Sequence, residues 1–186
     1  RPEEIKLLVN KVLSEPNKSV VAKRTKRSEG FLFQLLYKIH KYLTLFTTGK
    51  LINFGNYSCL TKTDMKELSV KASLWSSYSG TFKKYITNYN EVNSIRGIRY
   101  FGPSNMSLFK LLIHSLSIIA VFRYRVLLLS IISFSIFHYL GFIFKFNFLI
   151  LQSLIILFNI TIFTISFREN KKDLEEIIYD FDGIIH

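Results

Sequence analysis

Between Val126 and Phe167 the chain carries a single charge, Lys145, and nearly every other residue is apolar or small and polar. A helix crosses about 30 Å of hydrocarbon with about 20 residues, so this run is too long for one span and long enough for two. Val126–Phe144 and Phe146–Phe167 are each of spanning length, and Lys145 marks the turn between them. Arg123 and Arg125 precede the first segment, and Arg168, Lys171 and Lys172 follow the second. Basic residues gather on the cytoplasmic side of spans. The expectation is therefore a multi-pass protein of the cytoplasmic (inner) membrane with both termini cytoplasmic. Asn159-Ile160-Thr161 has the form of a glycosylation sequon but lies inside a span, where it carries no meaning. His138 reads as a polar residue tolerated within the helix pair.

The rest of the 186 residues is mixed and basic, and the formal charge of the chain is +12. Such a surplus draws phosphates, whether of lipids, nucleotides or nucleic acid. Nucleic acid is set aside as a partner, because the basic residues adjoin the membrane segments and no recognition motif is present. Cys59 is the sole cysteine, and His40, His114, His138 and His186 lie far apart, which argues against a disulfide or a zinc site within the chain. The chain begins at Arg1, its first methionine is Met65, and no signal-peptide pattern opens it. It reads as the C-terminal part of something longer.

Pro2, Glu3 and Glu4 suit the first turn of a helix. Ile5, Leu8, Val9, Val12 and Leu13 repeat at helical spacing, and Pro16-Asn17 closes the pattern. Ser19–Ala22 is β-prone, and the dense basic run Lys23–Arg27 follows. The spacing predicts an amphipathic helix over Phe31–Phe46, with Lys38 and Lys41 on a face without an acid. Gly49 and Gly55 punctuate a turn region, Tyr57–Leu60 is a strand candidate, and Thr61 with Asp64 forms a capping box for a helix running to about Ala72. Ser73–Asn90 has no clear period. Val92–Phe101 reads as a strand or hairpin, and Gly102-Pro103-Ser104 as a turn. Met106–Phe122 is amphipathic, with Leu108, Leu111, Leu112, Ser115, Ile118, Ile119 and Phe122 on one face, as expected of a helix lying in the membrane interface. The tail from Asp173 to Asp182 alternates acidic and apolar residues and reads as a short surface helix.

The order of these segments resembles a known family. Arg1-Pro2-Glu3-Glu4-Ile5 resembles the Pro-Pro-Glu-Glu-Ile segment of family 2 glycosyltransferases that act on polyprenyl phosphates, the dolichol-phosphate mannosyltransferases and undecaprenyl-phosphate glycosyltransferases among them. Val20–Glu29 resembles that family's strand and Arg-x-x-Arg basic loop, Gly55–Leu60 its Gly-Asp-Phe-Arg-Leu stretch, and Arg99–Ser107 its Arg-x-x-Gly-x-Ser-Lys stretch. In the family the last motif precedes an interfacial helix and a transmembrane pair. Two positions depart from the pattern: Asn56 stands where many relatives carry Asp, and Asn105 where they carry Lys.

The resemblance implies an α/β fold: the C-terminal part of a nucleotide-sugar-binding catalytic domain over residues 1–105, an interfacial helix over 106–125, a transmembrane hairpin over 126–167 and a cytoplasmic tail over 168–186. It implies transfer of a sugar from a nucleotide-sugar to a lipid phosphate. Arg99 and Ser104 would meet the donor diphosphate, Arg24 and Arg27 the acceptor phosphate, and Asn56 would neighbour the site. The complete enzyme would use a divalent metal, Mg or Mn, held mostly by residues outside this chain, so the chain alone is expected to be inactive. A homo-oligomer is compatible with this picture. The alternative is a non-catalytic two-span protein whose basic cytoplasmic domain binds anionic lipid or a partner.

Overall fold

The computed structural model describes residues 2–26, 31–95 and 107–177. It is a mixed α/β structure with a three-stranded sheet and two long apolar helices. Helix α1 (Pro2–Ser14) leads into strand β1 (Ser19–Lys26), and the two pack through Leu8 and Val12 against Val20 and Ala22. Ile5, Val9 and Leu13, predicted to share that buried stripe, are exposed, because Leu8 and Val12 are the α1 side chains that reach the sheet. Helix α2 (Phe31–Thr48) and strand β2 (Phe54–Cys59) follow. Gly55, read from sequence as part of a turn, lies inside β2. Strand β3 (Tyr89–Ile95) begins earlier than the sequence suggested and completes the order β2-β1-β3. β1 runs antiparallel to β2 and parallel to β3.

The predicted capping box at helix α3 (Lys62–Ser69) is present, but it closes through a third residue. Asp64 N–H donates to Thr61 Oγ1 at 3.1 Å. Thr61 N–H donates at 3.0 Å to Ser19 Oγ rather than to Asp64, and the Ser19 hydroxyl in turn donates to the Asp64 carboxylate. Ser19 is fully buried, so it fastens the start of β1 to the start of α3. Ser19→Ala strips a donor and an acceptor at once and should destabilise the protein by about 1–3 kcal/mol. Denaturant unfolding in detergent measures this, and a change within about 0.5 kcal/mol, the usual range of neutral surface substitutions, would deny the link its role.

The stretch without clear period holds a short 3₁₀ turn (Ala72–Trp75) and helix α4 (Tyr78–Tyr85). Phe82 anchors α4 in the core, meeting the edges of Phe54 and Tyr89 at centroid distances of 5.4 and 5.1 Å. On its other side α4 docks on helix α5 (Leu108–Ala120) through Gly80, where a Cβ would lie 3.1 Å from the Val121 side chain and 3.2 Å from the Ile118 carbonyl. Lys84 Nζ donates to the Val121 carbonyl at 2.8 Å and so closes the C-terminal end of α5.

Helices α6 (Arg123–Phe144) and α7 (Leu149–Ser166) pack antiparallel. The turn between them takes Lys145–Phe148, more than the single Lys145 expected, because Lys145 adopts φ +51° and Phe146 N–H must fold back to the Gly141 carbonyl at 3.2 Å. Both helices are long and apolar enough to cross a membrane. At 22 residues α6 is about 33 Å long. Among their residues only Val126, Ile162 and Ser166 are buried. Residues 171–177 return to helix, and the rest of the helix expected up to Asp182 lies outside the described residues.

Candidate phosphate-binding site

Parallel pairing decides which strand ends lie together. Cα partners run from Ser19–Tyr89 through Arg24–Ser94 to Lys26–Ile95, so the carboxyl ends of β1 and β3 stop side by side. In open α/β sheets ligands bind at the carboxyl ends of parallel strands. Of the residues assigned to phosphates by resemblance, Arg24 lies within β1 rather than in a loop after it, and the others follow the two strands in sequence. Arg27 comes one residue after Lys26, and Arg99 comes four after Ile95. Arg27, Arg99 and Ser104 lie outside the described residues, and of Arg24 only the backbone, in β1 opposite Ser94, is described. Asn56 stands exposed on β2, on the other flank of β1. Val21 pairs with Ser58 and Lys23 with Phe54, so β2 carries two residues more than β1 across this interval. Such bulges re-aim side chains at the rims of sites.

Glu4 belongs to this edge, although its sequence position suggested only a helix-start acid. Its carboxylate accepts from Ser94 Oγ at 2.9 Å and from Ile95 N–H at 2.8 Å, which fixes the last residues of β3. Thr25 Oγ1 donates to the Ser94 carbonyl at 3.2 Å and ties β1 to the same point. Hydrogen bonds to a carboxylate are about twice as strong as neutral ones. Glu4→Ala should therefore speed hydrogen exchange of the Ile95 amide by roughly tenfold or more; unchanged exchange would show that Glu4 does not hold the edge. Nothing local in the sequence signals this contact, which joins residues 90 apart or more.

A second set of charges lies on the face of the sheet that packs against α4. Lys23 pairs with Glu91 at 2.9 Å. Lys83, from the last turn of α4, donates to Tyr89 Oη and lies 4.6 Å from the centroid of the Tyr89 ring and 5.8 Å from that of Phe54. Burial pushes the Lys83 ammonium below its ordinary pKa; Glu91 opposes this, and the charges of Lys50 and Lys23 add to it.

Among the described residues, no three His, Cys, Asp or Glu side chains come together to hold a metal. No family model, curated protein or solved structure matches the chain. What the structure shows is a mixed α/β protein with a three-stranded sheet and two helices of membrane-spanning length.

Proposed function

We propose that the chain is the acceptor-side and membrane portion of a glycosyltransferase that moves a sugar from a nucleotide-sugar to a polyprenyl phosphate or a related membrane acceptor. The observation that carries this reading is the adjacency of the β1 and β3 carboxyl ends, after which Arg27 and Arg99 follow in sequence. Arg24 and Arg27 would take the acceptor phosphate, and Arg99 and Ser104 the donor diphosphate, with Asn56 nearby. Arginine suits both tasks, since its planar fork binds two phosphate oxygens and keeps its charge. The acceptor oxygen attacks the anomeric carbon, and the nucleoside diphosphate leaves with the bonding electron pair. Guanidinium groups screen the repulsion between the two anions and offset the charge that develops on the leaving group. A divalent metal bound to the complete enzyme would share that load.

Membrane residence supports the reading. α6 and α7 expose Leu128, Ile131, Ile136, Phe142, Ile150, Leu154 and Leu157, which is tolerable in lipid and not in water. α2 is built inside out: Thr44, Thr47 and Thr48 are buried, while Ile39, Tyr42 and Phe46 are 55, 67 and 72% exposed. The inner threonines satisfy themselves locally, Thr47 and Thr48 each donating to a backbone carbonyl four residues back at 2.7 Å. An outer stripe at i, i+3 and i+7 flanked by Lys38 and Lys41 is what an interfacial helix requires. Only the first half of α5 behaves likewise, exposing Leu108, Phe109 and Leu112; its second half, Ser117–Ala120, is buried. α2 and α5 together would hold the sheet edge at the depth of a lipid phosphate and raise its effective concentration.

Gly49 joins this platform to the helix pair. It ends α2 with φ +67°, and a Cβ there would come within 2.6 Å of the Arg125 guanidinium.

Both ends of the pair are proposed to be cytoplasmic. Reporter fusions at Lys145 and at the C-terminus should read opposite sides of the membrane; identical sides would sink the hairpin. The activity test supplies membranes containing a protein with this segment with a series of radiolabelled nucleotide-sugars. Label should move into polyprenyl lipid. Failure across the whole series, with the protein folded, would leave the non-catalytic lipid- or partner-binding alternative.

A further inference from the structure

We propose that a second copy of this chain packs into the groove between α6 and α7, and that Asn159 pairs there, amide to amide, with its counterpart in that copy. The proposal rests on α6 and α7 crossing a membrane, and not on sugar transfer. In hydrocarbon an exposed leucine needs no cover, so the apolar outer faces of the two helices do not by themselves call for a partner. A polar group without a hydrogen bond does, because no water is at hand to satisfy it. The hydroxyls of Ser135, Thr161, Thr164 and Ser166 meet this need within their own helices, each donating to a backbone carbonyl at 2.7–2.9 Å. Asn159 meets only half of it. Its Nδ2 donates to the Ile155 carbonyl at 2.8 Å, while its Oδ1 is buried and receives no hydrogen bond. An amide oxygen left in that state in an apolar medium is costly.

Asn159 lies near the middle of α7, in the wall of a groove of about 300 Å³ between the two helices. Leu127, Ser130 and Phe134 of α6 and Ile155 and Ile160 of α7 line it as well. An acyl or prenyl chain would fill this space without offering a hydrogen to Oδ1. A helix that carries a donor at the same depth does both. A second copy carries one necessarily: copies inserted with one topology are related by an axis along the membrane normal, so each residue meets its counterpart at its own depth. A primary amide is donor and acceptor at once, with two N–H groups and a carbonyl oxygen. Across such an axis each Asn159 Oδ1 accepts from the Nδ2 of the other copy, and no further residue is needed. Turning the amide into the groove forfeits no bond at Oδ1, which has none, and at most the one from Nδ2 to Ile155. The pair of amides gains two. Interhelical hydrogen bonds of this kind hold membrane helices together.

The test reconstitutes the whole chain, fused at its C-terminus to a donor or an acceptor fluorescent protein, in phosphatidylcholine vesicles and reads energy transfer as lipid is added. Transfer should saturate at high protein density, fall on dilution along a monomer–dimer curve and be competed away by unfused chain. Asn159→Leu should move the midpoint of that curve to a roughly threefold to thirtyfold higher protein density. Asn159→Gln, which keeps the amide, should move it less. Thr161→Val, whose hydroxyl is already used inside α7, should leave the midpoint in place and controls for lost polarity. A melting curve of each variant checks folding. Alkaline carbonate extraction separates two failures. A chain stripped from the vesicles overturns the membrane reading and the pairing with it. A chain that stays but shows no transfer beyond chance encounters, or a folded Asn159→Leu variant that pairs as the parent does, overturns the pairing alone.

Discussion

Glu169→Ala should destabilise the protein by about 3–5 kcal/mol, the usual penalty for removing one member of a buried ion pair. Glu169 and Arg123 pair at 2.6 Å with side chains only 5 and 16% exposed. The other carboxylate oxygen accepts from Ser76 Oγ at 3.2 Å. One acid thus binds the start of α6, the residues after α7 and the turn before α4. Its loss leaves a buried guanidinium without its counter-charge and unties the sheet from the helix pair. Arg123→Ala should be nearly as harmful. The double variant Arg123→Met/Glu169→Leu should recover much of the loss, because a buried pair often exchanges for apolar residues at little net change. Thermal unfolding in detergent distinguishes the cases. Single variants that melt like the parent would mean that the pair is an exposed ornament of the surface, worth under about 1 kcal/mol.

The second large effect concerns chemistry. In a protein containing this segment, Arg99→Ala should slow sugar transfer roughly tenfold to a hundredfold, matching about 1.5–3 kcal/mol for a charged hydrogen bond to phosphate. Lys38→Ala should do little in detergent, where its contribution of about 1 kcal/mol to lipid attraction no longer counts. Arg99→Lys should also be damaging, since the charge remains but the paired geometry is lost. Equal and mild effects of the two alanine changes would reduce Arg99 to a surface charge.

Those elements that rest on local physics were legible in the chain. Pro2 with Glu3 and Glu4, the Thr61–Asp64 cap and the two apolar runs each announce themselves within a few residues, and each forms nearly where expected. α4 was not legible. Its sequence, Tyr-Ser-Gly-Thr-Phe-Lys-Lys-Tyr, has poor intrinsic helix propensity and helps itself only by the Ser77 cap. Tertiary packing supplies the rest, through Phe82 below and Gly80 against α5. The helix expected in the interface over 106–125 divides instead, because Ile118, Val121 and Phe122 find Ile52, and Ile119 finds Ile162. Site geometry was the least legible. Glu4 reaches Ser94, and Lys83 stands over residues of β2 and β3, by contacts between segments that no local pattern connects. The basic run from Lys23 looked like one patch, yet strand alternation sends Lys23 to Glu91 on the α4 face, away from its neighbour Ala22, which packs on α1.

A transferase of the proposed kind must distinguish a membrane lipid by its phosphate. Nanodiscs carrying the chain, doped with either undecaprenyl phosphate or undecaprenol, test this by equilibrium retention of the labelled lipid on the immobilised protein. Retention of the phosphate should exceed that of the alcohol by roughly tenfold, as expected for one or two charged hydrogen bonds. The preference should collapse in the Arg24→Ala/Arg27→Ala variant while Lys38→Ala keeps it. Equal retention of phosphate and alcohol by the folded chain would contradict the account.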